Sequence, residues 1–159
     1  DNVNVSGKAD GEILYWNAGA GVWDATPQVS GSGGGTSFDP STLRIPYIVS
    51  VTYLGSPAAA AKMLYHAVPR EVTFTAGLPS SQAICETAAT ASAVFSIRKN
   101  NTEFGTATFA IGSTTGTFAA ASQTVFTTGD ILSIVAPDPA DDTLAQIGIT
   151  LLGEQGVIE

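Results

Sequence analysis

The sequence predicts an all-β fold, in which a short β-hairpin precedes an antiparallel β-sandwich. Runs of β-branched and aromatic residues recur about every ten residues, and turns rich in Gly, Asn and Pro separate them. Charged residues make up only 13% of the 159 residues, against roughly 25% in typical soluble domains. Long surface helices need Glu, Lys and Arg, so this composition disfavours them.

The first thirty residues predict the hairpin, which would form a stem or attachment segment. A strand-like run at 12–17 is followed by the small residues of 18–21 and by a returning run at 22–25. Trp16 and Trp23 lie near its ends. A lone hairpin is marginally stable in water, so its apolar face needs a neighbour. The two tryptophans either stack on a sugar or pack against the same hairpin of another chain.

Residues 31–42 predict a flexible linker between this segment and a head at 43–159. The stretch 30–37 contains only Ser, Gly and Thr, and such chains keep high backbone entropy. It is not a phosphate-binding loop, because no Lys-Ser or Lys-Thr pair follows it and no helix pattern begins after it.

The first strands of the head are marked by composition. Residues 45–54 are β-branched and aromatic, and Gly-Ser-Pro at 55–57 ends them. Residues 58–61 are alanines that could nucleate a helix, but prolines flank the segment and 63–68 suits a strand, which we favour. Residues 71–75 alternate between apolar and polar side chains and predict the next strand.

The later strands are marked by alternation and by turns. Residues 93–98 have one apolar face and one mixed face. Asn100 and Asn101 predict a turn, because Asn tolerates positive φ. Further strands are predicted at 103–110, 115–119, 125–126, 131–136 and 144–152. A head with this spacing fits a jelly-roll-like sandwich of roughly eight to ten strands.

Charge and cysteine content exclude several function classes. The net charge is −8, and all six basic residues lie at or before Lys99, so the chain lacks the means to neutralise a row of phosphates. No apolar run approaches the length of a membrane span. Cys85 is the only cysteine, so no internal disulfide forms, and we interpret it as a small buried filler.

Catalytic motifs are weak, and we predict neither an enzyme nor a cofactor. His66 is the single histidine and belongs to no Gly-x-Ser-x-Gly elbow. Asp138, Asp141 and Asp142 share one loop, whereas glycosidase carboxylates flank the scissile bond on separate elements. The loop is either a solvated acidic turn or a weak Ca²⁺ candidate.

The candidate ligand site is a set of polar-tipped side chains in the first half of the head. On the outer face of a sheet they would form a saccharide platform through ring stacking and hydrogen bonds; they could equally be core edges or an interchain surface. The candidates are Tyr47, Tyr53, Tyr65, His66 and Arg70. The hairpin tip Lys99-Asn100-Asn101 could also touch sugar, although turn chemistry alone explains its asparagines.

Two stretches resemble parts of bacteriophage fibre proteins. The sequence DGEILYWN at 10–17 with GVW at 21–23 resembles the DGxxLxWNxxxGxW units of tail-fibre and virion-fibre proteins. The runs AVFSIRKN, GTATFA, GDILSIVAP, DTLA and IGITL between 93 and 151 resemble a C-terminal β-sandwich module of phage, prophage and gene-transfer-agent structural proteins. That pattern usually has Asn-Gly at the hairpin, where this chain has Asn100-Asn101.

The resemblance implies a homotrimeric fibre or spike piece of a virion, on the head or the tail of the particle. The N-terminal segment would contact other virion proteins, and the sandwich would adhere to host-surface polysaccharide such as capsule or lipopolysaccharide. No catalytic residue carries over from it. The alternatives are a capsid decoration or structural fibre module without ligand and, third, a polysaccharide depolymerase.

Overall fold

The computed structural model describes residues 13–17, 22–26 and 44–156, and the predicted linker at 31–42 lies outside these ranges. The chain divides into two compact units, Asp1–Asp39 and Pro40–Glu159. In the first unit, β1 (Ile13–Asn17) and β2 (Val22–Thr26) pair antiparallel, with Trp16 opposite Trp23. The predicted hairpin is therefore confirmed.

Residues 44–156, the described part of the second unit, form a β-sandwich of ten strands in two antiparallel sheets, as the sequence predicts. The strands are β3 (Arg44–Tyr53), β4 (Lys62–Ala67), β5 (Val72–Phe74), β6 (Gln82–Thr87), β7 (Ala93–Lys99), β8 (Thr102–Phe109), β9 (Gly116–Ala119), β10 (Thr124–Phe126), β11 (Ile131–Val135) and β12 (Ala145–Gly156). Sheet I has the order β10-β5-β12-β3, with β6 also paired to β12. Sheet II has the order β4-β11-β7-β8-β9. The described part of the chain contains no helix with the length and apolar character needed to cross a bilayer.

Strand β12 organises sheet I. It pairs with the whole of β3, from Ile147 opposite Tyr53 to Gly156 opposite Arg44. On its other side, β6 and then β5 pair with successive parts of it. Between these two parts, the Ser81 hydroxyl accepts a hydrogen bond from the Leu152 main-chain amide at 3.1 Å. One strand therefore holds three others in register.

The core lies between the sheets and is rich in phenylalanine. Phe74 and Phe126 meet edge to face at 5.4 Å between ring centroids, and so do Phe95 and Phe109 at 5.7 Å. All four are fully buried, and this geometry is the favoured one for aromatic pairs. Cys85 is also buried, as predicted, and burial raises the pKa of its thiol.

The hairpin between β7 and β8 confirms the predicted Asn-Asn turn. Asn100 and Asn101 have φ values of 48° and 69°, the positive values that a two-residue hairpin turn requires. The side-chain amide of Asn100 donates a hydrogen bond to the Asp130 carboxylate at 2.6 Å. Lys99 forms an ion pair with the same carboxylate at 3.0 Å. Hydrogen bonds from the Thr127 main chain, from Asn100 and from Lys99 hold the pKa of Asp130 well below its usual range.

Three segments differ from the sequence predictions or complete them. Strand β6 was not predicted, because its inward residues Ala83 and Cys85 are small and give a weak apolar alternation. Strand β12 continues past the predicted end at 152 because β3 and β5 pair with it there. The segment 58–61 forms a turn, in which the Ala61 amide donates a hydrogen bond to the Ala58 carbonyl at 3.0 Å. Strand β4 follows it, which confirms the strand predicted there.

Gly153→Ala tests the packing of β12 against the core. A Cβ at this position would lie 2.9 Å from Val72 Cγ1 and 3.0 Å from Phe74, inside van der Waals contact. We expect this substitution to destabilise the protein by about 1–3 kcal/mol, the usual cost of overpacking. Urea denaturation measures the change. Gly148→Ala is the matched control on the same strand, because its nearest contact would be an ordinary 3.4 Å. Equal stability of the two variants would contradict the packing described.

Candidate functional site

The structure brings together three of the five predicted site residues, at the edge where β3 of sheet I meets β4 of sheet II. The Tyr47 hydroxyl and His66 Nε2 are 2.6 Å apart, and both side chains are half-buried. Burial raises the pKa of the Tyr47 phenol, and the positive charge of Arg70 offsets part of this effect. Because Tyr47 and His66 are bonded to each other, this cluster links the two sheets.

Tyr53 is separate from this cluster. It lies on the same side of β3 as Tyr47, and the six residue steps from one to the other span about 20 Å of extended strand. Like Val49 and Val51, it belongs to the inward-facing side, and it is half-buried. Tyr53 therefore has the position of a core-edge residue, one of the alternatives that the sequence left open.

Tyr65 points away from its neighbour His66, because successive side chains of a strand face opposite sides. His66 and Leu64 pair with the buried Leu132 and Ile134, whereas Tyr65 pairs with Ser133. The Tyr65 side chain is 66% exposed on the outer face of sheet II. Of the five predicted residues, it alone presents a largely open ring.

The strand register extends Tyr65 into a row of polar side chains across sheet II. Ser133 is paired with Tyr65 on one side and with Arg98 on the other, and Arg98 is paired with Glu103. The ammonium of Lys62 lies 5.0 Å from the centre of the Tyr65 ring. We call the surface formed by Lys62, Tyr65, Arg98 and Glu103, with the buried Ser133 beneath it, the tyrosine face.

The polar groups of the tyrosine face are ordered by their own hydrogen bonds. Arg98 Nε donates to the Ser96 hydroxyl at 2.8 Å, and that hydroxyl donates to the Glu103 carboxylate. This chain fixes the plane of the guanidinium. Ser133 is 1% exposed, and its hydroxyl has no hydrogen-bond partner among the described residues. A buried hydroxyl without a hydrogen-bond partner lowers the stability of the fold.

Sequence reasoning missed Lys62, Ser133, Arg98 and Glu103 as members of one surface. The mixed face of 93–98 was visible, but which strands flank it depends on the order β4-β11-β7-β8, which brings together residues far apart in the chain. The separation of Tyr65 from His66 was visible in principle, since adjacent residues of one strand cannot share a face.

The tyrosine face has the elements of a saccharide site. An exposed ring offers a flat apolar surface to the C–H side of a pyranose, and its hydroxyl adds a hydrogen-bonding end. A guanidinium is planar and presents paired donors, which suit a carboxylate or neighbouring hydroxyls. Lys62 adds a second positive charge beside the ring.

The acidic loop after β11 is built around Asp141. Its Oδ2 accepts hydrogen bonds from the main-chain amides of Thr90 and Ala91, at 2.8 and 2.9 Å, and from the Thr90 hydroxyl. Its Oδ1 accepts bonds from the amide and hydroxyl of Thr143 and from the Leu144 amide. These bonds, above all that from the Thr143 hydroxyl, hold the pKa of Asp141 well below its usual range.

This arrangement bears on the weak Ca²⁺ candidate at Asp138, Asp141 and Asp142. Both oxygens of Asp141 are engaged by protein donors that tie the loop to residues 90 and 91. The main-chain carbonyl of Asp142 accepts a bond from the Ser56 hydroxyl at 2.8 Å. Within residues 44–156 and the two hairpin strands, no three His, Cys, Asp or Glu side chains are arranged to hold a metal ion. The carboxylate of Asp141 thus ties its own loop to residues 90 and 91, and we call this set of hydrogen bonds the loop latch.

No family model, curated protein or solved structure matches this chain. The interpretation of the site therefore depends on its own geometry and on the sequence resemblance.

Asp141→Asn tests the loop latch. An amide would place an NH₂ group against N–H donors, so we expect the melting temperature at pH 7 to fall by roughly 5 °C. The pKa of Asp141 in the folded state lies below the value of about 3.9 in the unfolded chain. As the pH falls below about 5, Asp141 becomes protonated in the unfolded state before it does in the folded state. The stability that the ionised Asp141 gives the wild type is therefore progressively lost.

The difference in melting temperature between wild type and Asp141→Asn should therefore narrow as pH falls from about 5 to about 2. Thermal scans across this range measure it. Asp142→Asn is the matched control, since its side chain makes no hydrogen bond to the described residues. A difference that stays constant with pH, or an equal effect of the control, would refute the latch.

Proposed function

We propose that this chain is a fibre or spike component of a phage particle, and that its head adheres to host-surface saccharide through the tyrosine face. The observation that carries the site assignment is the 66% exposed ring of Tyr65, set beside Lys62 and in line with Ser133 and Arg98. The fibre assignment rests on the resemblance of residues 10–23 and 93–151. Holding a sugar needs no bond cleavage, and we assign no catalytic residue.

The topology of the head supports this assignment. The chain crosses repeatedly between the sheets, although β5 and β6 are consecutive in sheet I and β7, β8 and β9 are consecutive in sheet II. With β6 and β9 as additional strands, the orders β10-β5-β12-β3 and β4-β11-β7-β8 agree with two interlocked Greek keys. That agreement favours the jelly-roll interpretation of the sandwich. Such a head offers a rigid sheet face, on which a binding group keeps its geometry better than on a loop.

The charges of the tyrosine face favour acidic saccharides. Lys62 and Arg98 are two of only six basic residues in a chain of net charge −8. Glu103 is the one acid of the face and accepts a hydrogen bond from the Ser96 hydroxyl. Lys62 and Arg98 therefore leave the face with a net positive charge, in a chain whose overall charge repels an anionic polymer. We therefore propose a uronic-acid or similarly charged sugar as the preferred ligand.

The second candidate is a structural module without ligand. Lys62 covers one side of the Tyr65 ring, as it would in a surface contact that merely shields an aromatic side chain. Under this alternative the tyrosine face is a solvated sheet surface and has no measurable affinity for sugars.

Glycan-array screening of the full chain, followed by calorimetry on the best acidic oligosaccharide, tests the proposal. We expect dissociation constants in the millimolar to micromolar range, and at least about tenfold weaker binding by Tyr65→Ala, which corresponds to 1.4 kcal/mol. Val94→Ala is the matched control, an exposed apolar side chain on the same sheet. No binding to any glycan would favour the structural module.

Tyr47→Phe distinguishes the two places where the predicted residues lie. It removes only the hydroxyl that contacts His66. Weaker binding by Tyr47→Phe with unchanged binding by Tyr65→Ala would move the site to the edge cluster and contradict the assignment of the tyrosine face.

A further inference from the structure

We propose that the outer face of sheet I is a contact surface between copies of this chain. This inference extends the proposed fibre assignment and draws on different residues from the saccharide site. It begins from the alternation of β3, whose half-buried or buried residues Tyr47, Val49, Val51 and Tyr53 face the core. The residues between them face outward.

The central outward positions of three adjacent strands carry no charge. They are Pro46, Ile48, Ser50 and Thr52 on β3, Gly148, Thr150 and Leu152 on β12, and Gln82 and Ile84 on β6. We call these nine residues the neutral face. Charged residues occur only where the strands end, with Arg44 and Glu154 at one end and Glu86 near the other.

The neutral face also exposes more apolar surface than a solvated sheet needs. Ile48 is 64% exposed and Ile84 is 57% exposed. Ile48 pairs across the strands with the half-buried Leu152. Ile84 lies against Gly148, where a Cβ would be 3.4 Å from its Cγ1. Exposed apolar side chains gathered on one uncharged surface are typical of interaction sites.

Charge selects the partner. The chain carries −8, so two copies repel unless they meet through a surface without charge. A basic partner would need acidic side chains on this face, and an acidic partner would need basic ones; the neutral face has neither. A second copy brings the same neutral surface and buries apolar side chains on both sides without bringing like charges together.

The open edge of sheet I adjoins the neutral face. Strand β3 is the last strand of the sheet, and no described strand pairs with its outer side. Such an edge presents unpaired main-chain groups, which proteins usually cover or interrupt. Pro46 removes one donor there, and Ile45 is 37% exposed beside it.

The size of the face sets the strength of the contact. Three strands about 4.8 Å apart and roughly seven residues long cover about 300 Å² in projection, against roughly 800 Å² per partner in a standard interface. We therefore expect a reversible association of heads that depends on concentration.

Sedimentation equilibrium of the full chain at low millimolar ionic strength and at 150 mM salt, roughly the physiological value, tests the proposal. We expect wild type to associate as concentration rises, and more strongly at higher salt, because salt screens the repulsion. Ile48→Lys should weaken association at least about tenfold. Val94→Lys, an exposed apolar residue on sheet II, is the matched control and should associate like wild type.

Ile84→Lys, on a different strand, is the second variant and keeps the test decisive where Ile48→Lys fails to fold. A wild-type monomer at all concentrations, or equal association of the sheet I variants and the control, would overturn the proposal. The saccharide affinity per head separates the two functions. We expect the variant that does not associate to bind saccharide with the same affinity per head as the wild type.

Discussion

The pairing of β12 with its three neighbours is the constraint on which the rest of the head depends. Its inward residues Ile147, Ile149 and Leu151 enter the core, and a shift of one residue would expose all of them. The same register fixes which residues of β3 and β6 lie beside it on the outside. The final strand of the chain therefore sets both the core of sheet I and the composition of its outer face.

The two sheets have different outer surfaces, and this difference organises the functional interpretation. The outer face of sheet II carries Tyr65 with Lys62, Arg98 and Glu103, whereas the centre of the outer face of sheet I carries uncharged residues and two exposed isoleucines. These two surfaces carry the two proposals, that one side of the head holds a charged sugar and that the other contacts a second copy. Copies held together in this way would turn weak single sites into useful avidity.

Much of the fold could be predicted from local pattern, because alternation and turn residues act over short distances. The strand containing Phe95 and Ile97 and the Asn100-Asn101 turn are examples. Strand β6 was missed because Ala83 and Cys85 give little apolar contrast. The site was predictable only in part: Tyr65 could be singled out, but its row with Ser133 and Arg98 depends on pairing between distant segments.

The central claim is that the head holds saccharide on the outer face of sheet II. An amide NMR titration of the full chain with an acidic oligosaccharide tests it most directly, because it locates the contact residue by residue. The account predicts that shifts cluster at Lys62, Tyr65, Arg98 and Ser133 and leave the core-facing Ile149 unchanged. Shifts confined to Tyr47, His66 and Arg70, or to the neutral face, would contradict it.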